Sequence, residues 1–176
     1  MRKTADGLLS GARYVASPNC DERPAGAAVT LLVVHAISLP PGEYGGDAIE
    51  RLFTNRLDPG AHPYFEEIQG LKVSSHFLIR RDGELVQFVP VGKRAWHAGT
   101  SRWRARSRCN DFSVGVELEG SEGDCFTPAQ YQTLESLAER LRLRDIAAHS
   151  DVAPGRKTDP GAGFDWPRLL AALSRI

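Results

Sequence analysis

The sequence predicts an α/β fold: a single domain with a central mixed β-sheet flanked by helices. Three observations lead there. The run VTLLVVHA (29–36) is a continuous β-branched and leucine stretch of the kind that forms a strand covered on both faces. In SSHFLIRRDGELVQFVP (74–90) two strand-like runs flank Asp82 and Gly83. TPAQYQTLESLAERLRLR (127–144) repeats apolar residues at helical spacing. Strands interleaved with helices, without linker, internal repeat or low-complexity tract, read as one domain over 1–176, and 176 residues suffice to bury roughly two thirds of the unfolded surface.

Taken in order, the first strand is expected to stop at His35, before LPPGEYGG (39–46) forces a turn. Asp47 is positioned to cap a short helix whose Ile49, Leu52 and Phe53 share a face. Asp82–Gly83 is the dipeptide of a type I′ hairpin, which needs positive φ at both central residues. In FSVGVELEG (112–120), Val114, Val116 and Leu118 alternate with Ser113, Gly115, Glu117 and Glu119, so one face is expected to be buried and the other polar or small. Thr127 as N-cap, Pro128 at the first helical position and Gln130 completing a capping box open the long helix, with Tyr131, Leu134, Leu137, Ala138 and Leu141 as its apolar stripe. DIAAH (145–149) reads as a short strand ending at His149. A last helix begins near Asp165, with Trp166, Leu169, Leu170 and Leu173 facing inward.

Composition narrows the function classes. Lys plus Arg equals Asp plus Glu at 22 each, so the formal charge is zero and no nucleic-acid footprint is expected. The one basic stretch, KRAWHAGTSRWRARSRC (93–109), could bind an anion, but charge runs are usually solvated and balanced by acidic neighbours. MRKTADGLLSGARYVAS lacks the apolar run of a signal peptide, and no segment is long enough to span a membrane, so a cytoplasmic protein is expected. Cys20, Cys109 and Cys125 form no metal spacing and are odd in number, which suits reduced thiols.

His35, Glu117 and His149 fall on or at the ends of expected strands, where α/β sheets build sites. Gly115 beside Glu117 leaves room for something to approach. Taken singly, each has a plainer reading: His35 as a core histidine, Glu117 as a solvated charge, Asp159 before Pro160 as a turn residue, Lys157 as an exposed loop lysine. Spacing cannot join residues so far apart in the chain.

Five segments taken together do join them. LLVVHAISLPPGEYGG, HFLIRRDGELVQFVP, RAWHAG, CNDFSVGVELEG and AHSDVAPGRKTDPG, in this order from about Tyr14 to Leu173, resemble the AmpD-type 1,6-anhydro-N-acetylmuramyl-L-alanine amidases. These belong to a zinc amidase group that includes the peptidoglycan-recognition proteins. The resemblance implies their fold, one zinc ion per chain held by His35, His149 and Asp159, and catalytic roles for Glu117 and Lys157. Two imidazoles and a carboxylate are a common set for catalytic zinc, leaving a position for water or substrate. Glu117 would act as general base and then acid, and Lys157 would stand near the developing oxyanion.

The implied substrate is an anhydro-muramyl peptide, cut between the lactyl group and L-alanine during cell-wall recycling, with an influence on β-lactamase induction. No obligate protein partner is implied. Arg108 matches a family arginine suited to the peptide's carboxylates. Lys72 stands where the family often has arginine, keeping charge but losing the fork. Trp96 and His97 could line the sugar side, whereas His76 and His62 read as structural. Ala36 departs from the asparagine common after the first histidine, and Asp151 has no assigned role. The alternative from another class, a muropeptide-binding module without catalysis, would lack a zinc ligand, and all three are kept here.

Overall fold

The computed structural model describes residues 7–174. Its strands are β1 (Arg13–Tyr14), β2 (Cys20–Asp21), β3 (Leu31–Ile37), β4 (Phe77–Ile79), β5 (Leu85–Gln87), β6 (Arg94–Ala95), β7 (Arg102–Trp103), β8 (Arg106–Ser107), β9 (Ser113–Glu119) and β10 (Asp145–Ala148). Its helices are α1 (Ala48–Phe53), α2 (Pro63–Glu67), α3 (Pro128–Leu141), α4 (His149–Val152) and α5 (Trp166–Leu173). Six strands form one mixed sheet in the order β1-β5-β4-β9-β3-β10, in which β4 and β5 are antiparallel and the other neighbours are parallel. β2–β6 and β7–β8 are small separate ribbons.

The two central strands, β3 and β9, decide where the site lies. Period-2 alternation sends Leu32, Val34, Val114, Val116 and Leu118 into a core with α3 and with Leu169 of α5. Leu31 and Val33 turn to the other face, where Phe112, Ala147 and Val152 pack. His35, Gly115 and Glu117 share that second face, and β3 runs in register with β9 so that His35 lies opposite Glu117. α1 and α2 cover the β4–β5 end of this face through Leu52, Phe53 and Phe65.

Several expectations need correction. β3 continues two residues beyond His35 because β9 offers it partners as far as Glu119. The polar face of β9 is not solvated: all seven residues are buried, since a central strand is covered on both sides. Asp82 and Gly83 do join a hairpin, but only Gly83 has positive φ. Gly83 N–H donates to Arg80 O and Arg80 N–H to Glu84 O, the three-residue connection with a glycine bulge rather than type I′. Asp47 precedes α1 without capping it, because its carboxylate accepts from Arg51 instead. Leu170 faces outward, 54% exposed, because α5 lays only Leu169 fully into the core.

The capping box of α3 forms as expected: Thr127 Oγ1 accepts from Gln130 N–H, and Gln130 Oε1 from Thr127 N–H. Gln130 does more, because its Nε2 donates to Ile79 O and Glu119 O, tying the helix start to the ends of β4 and β9. Gln130→Ala should therefore lower the unfolding free energy by about 2–4 kcal/mol, from a lost cap and two buried carbonyls without donors. A urea titration checks this; a change under 1 kcal/mol would mean that water replaces the amide.

Most of the basic stretch is balanced internally. Arg94 lies between Asp21 and Asp111, Lys93 pairs with Glu22 and Arg104 with Asp145. The three cysteines are free. No described helix is long and apolar enough to cross a membrane.

Candidate metal centre

The site lies at the carboxyl ends of β3, β9 and β10, where an α/β sheet opens a crevice. β3 delivers His35. β10, paired with β3 through Ala148 and Val34, ends one residue before His149, which opens α4. Asp159 returns on the loop after α4, its carbonyl accepting from Ser150 N–H at 3.0 Å. Asp151, which had no assigned role, caps this turn: its Oδ2 accepts from Ala148 N–H at 2.9 Å and so holds His149 at the helix start.

Three acceptor atoms converge here. His35 Nδ1 lies 3.0 Å from His149 Nδ1 and 3.2 Å from Asp159 Oδ2, and His149 Nδ1 lies 3.1 Å from the same Oδ2. Tetrahedral ligands about 2.0 Å from a cation stand roughly 3.3 Å apart, so the spacing fits one metal ion. Among the described residues these three form the group able to hold one. Two imidazole nitrogens and a carboxylate face one another here, nearly sealed from solvent, an arrangement that requires a proton or a metal ion between them.

The electrostatics agree with that demand. Burial pushes His35 down to about 4, favouring the neutral ring that a metal requires. Burial alone would raise the Asp159 carboxyl, but its bonds to His149 and His35 outweigh this and hold it below the usual carboxylate range. Glu117 is the opposite case. Burial first, then the charge of Asp159, hold its carboxyl well above the usual range, while Lys157 pulls the other way. Its Oε1 stands 4.0 Å from His35 Nδ1, adjacent to the cluster but outside it.

A cleft of about 710 Å³ opens on these groups, bordered by His35, Glu117, Trp96, His97, Lys157 and Asp159 among others. The family model described as N-acetylmuramoyl-L-alanine amidase matches residues 25–162. The chain belongs to the N-acetylmuramoyl-L-alanine amidase family.

Within the family this amidase is AmpD-like. It is 54% identical over 175 residues to the 1,6-anhydro-N-acetylmuramyl-L-alanine amidase AmpD of Escherichia coli K12, covering 96% of each chain. A selenomethionyl AmpD derivative, known from a crystal structure, superposes with a TM-score of 0.91 at 54% identity, covering 95% of this chain and 97% of that one. E. coli AmiD, solved as a complex with the substrate anhydro-N-acetylmuramic acid-L-Ala-D-gamma-Glu-L-Lys, matches with a TM-score of 0.59 at 30% identity over 86% of this chain and 60% of that one.

The other residues singled out from the amidase's sequence are placed unevenly. Trp96 borders the cleft, with its backbone N–H donating to Ser74 Oγ. His97 also borders it, but its ring turns inward onto His35. Lys72 is exposed beside a separate small cavity, although its neighbours Leu71 and Val73 border the cleft. Arg108 is 70% exposed and pairs with Asp111 at 3.1 Å, outside the cleft lining. Ala36 packs against the α3-side core while bordering the cleft.

His62 caps α2 by accepting from Tyr64 N–H. His76 accepts from Gly115 N–H through Nδ1 and reaches Lys93 O through Nε2. Burial, then the charge of Arg23, pushes His76 from 6.5 down to about 3. The unfolded chain thus binds a proton that the folded ring refuses between these values, so stability falls as pH drops from about 6.5 toward 3. His76→Asn keeps an acceptor for Gly115 but does not titrate there. Unfolding midpoints against pH should lose part of the acid limb in this variant; an unchanged limb would clear His76.

Residues that the sequence did not single out also shape the site. Asn110 Oδ1 accepts from the N–H groups of both His97 and Ala98. Arg23 donates to Asn110 O and Asp111 O and so fastens the turn that carries Asn110. Asn110 sits inside the quoted CND segment, which marked it as a motif position but showed no contact.

Proposed function

We propose that this chain is a zinc-dependent amidase that hydrolyses the bond between the lactyl group of 1,6-anhydro-N-acetylmuramic acid and L-alanine in muropeptides recycled from the cell wall, within the cytoplasm and with a consequent influence on β-lactamase induction. The observation that carries this reading is the convergence of three acceptors beside a buried Glu117 at the base of a cleft large enough for a sugar–peptide junction. The printed activity of the AmpD relatives and the ligand of the AmiD complex supply the substrate class.

Zinc held by His35, His149 and Asp159 would supply Lewis acidity, lowering the pKa of a water from about 15.7 to about 7, or roughly 12 kcal/mol of ionisation free energy. Glu117 takes a proton from the attacking water and returns it to the departing nitrogen. A C–O bond forms, the C–N bond breaks, and the products are a lactyl carboxylic acid and a free L-alanine amine. The raised carboxyl of Glu117 suits the second half of that task, in which it must donate. Lys157 at the rim places a cation toward the oxygen that becomes negative. Trp96 offers an apolar wall, and the exposed Arg108 and Lys72 are left for carboxylates of the outer peptide.

Incubating the zinc-loaded protein with anhydro-muramyl tripeptide should release the free tripeptide, and a chelator should abolish the release. Intact substrate in the presence of stoichiometric zinc would refute the assignment. Arg108→Ala should raise KM about tenfold with little change in kcat, since a contact to the remote peptide is uniform binding; an unchanged KM would remove Arg108 from the substrate site.

A further inference from the structure

His97 borders the cleft, yet both its ring nitrogens are engaged by other side chains. Nδ1 lies 2.9 Å from His35 Nε2, with the rings edge-on at 88°, and Nε2 lies 3.1 Å from Ser113 Oγ. The ring fits because residue 115 is glycine: a Cβ there would lie 2.6 Å from His97 Cγ and 2.8 Å from Ser75 Oγ. The next residue faces the second histidine, with Ala98 O 3.4 Å from His149 Nε2. That carbonyl is also gripped by Arg156 at 2.6 Å.

We propose that the His97–Ala98 dipeptide is an orienting element for the metal centre, His97 acting as a positioning residue for His35 rather than as a contact for substrate. The inference rests on the zinc reading above. Each ligand histidine turns Nδ1 to the cluster, and a metal takes a lone pair there, so each must carry its proton on Nε2. Buried Nε2–H groups need acceptors, and adjacent residues provide them: the ring of His97 for His35, the carbonyl of Ala98 for His149.

A carbonyl can only accept, which fixes His149 outright. The imidazole of His97 can do either, and so can the Ser113 hydroxyl on its far side, so a metal at His35 Nδ1 sets the order and Ser113 can satisfy it. With Nδ1 accepting, the His97 proton sits on Nε2 and is donated in a hydrogen bond to Ser113 Oγ. The reverse arrangement would put a proton on His35 Nδ1, where the metal binds. Both residues of the dipeptide hang from one atom, Asn110 Oδ1, so a single amide sets the height of both acceptors. A sugar-contacting role needs no such anchorage.

The test compares zinc affinity, by competition with a chromophoric chelator, in the wild type, His97→Leu and His97→Asn. Leucine fills the space without an acceptor, whereas asparagine places Oδ1 near the position of ring Nδ1. The expected result is zinc binding about 10–100-fold weaker in His97→Leu, largely restored in His97→Asn, with KM little changed in zinc-saturated enzyme. Wild-type affinity in His97→Leu overturns the proposal, as does an asparagine variant no better than the leucine one. If far-UV circular dichroism shows His97→Leu unfolded, Ser113→Ala replaces it: a loss of at least about threefold in zinc affinity supports the relay, and an unchanged affinity overturns it. A wild-type chain that binds no zinc would instead bring down the zinc reading itself, so the two failures are distinguishable.

Discussion

Glu117→Ala is expected to lower kcat by about 10²–10⁴-fold, the usual contribution of a positioned acid–base group, while zinc content stays at one per chain. The basis is geometric. Glu117 is registered directly opposite His35, and its Oε1 stands 4.0 Å from His35 Nδ1, whereas the three ligand atoms lie about 3 Å from one another. It is therefore within reach of a water at the cluster without belonging to it.

Burial also raises the Glu117 carboxyl, so holding it charged opposes folding. Glu117→Gln, which keeps the shape, should consequently be at least as stable as the wild type in zinc-free buffer, an instance of function held against stability. Steady-state kinetics with metal analysis and thermal melts read these outcomes. Retained activity would end the catalytic role, and zinc lost in step with activity would make Glu117 a ligand instead.

Gly163→Ala is expected to damage the site from outside it. A Cβ at Gly163 would fall on the carbonyl of Asp124, and one at Gly161 on the carbonyl of Glu122. The loop that returns Asp159 to the two histidines is thus pressed backbone to backbone against the 121–124 turn. Backbone cannot swing away like a side chain, so one added methyl must push the Asp159 loop outward. We expect about 3 kcal/mol of lost stability, the upper end of overpacking, with zinc affinity falling by an order of magnitude or more. Gly155→Ala is the comparison, because nothing lies within 4 Å of its added Cβ; only its positive φ is strained, and zinc affinity should hold. Equal zinc affinities in the two variants would show that the packing does not set the position of Asp159.

Much of this was legible along the chain because its causes are local. The alternation in 113–119 put Glu117 on the face opposite Val116, and the capping box opening at Thr127 announced the start of α3 before its stripe began at Tyr131. Where local cues failed, tertiary neighbours had overridden them. Asp47 turned from a cap to Arg51, the hairpin packed Gly83 against the first turn of α3, and Leu170 was left outside because α5 turns Trp166, Leu169 and Leu173 toward the core.

By itself the sequence determined the kinds of element, the polar residues at strand ends and, through five ordered motifs, the family. That His35, His149 and Asp159 meet was implied only through the family, and the tertiary structure decided how they do, because 114 residues separate the two histidines and no local rule carries across that distance. It also decided what the plainer residues do. Asp151 became a cap, Asn110 a hook and His97 a neighbour of His35 over the space left by Gly115. Glu117 came to stand opposite His35 through parallel strand register, and register between distant strands is written in the packing of two sheet faces, not in any one segment.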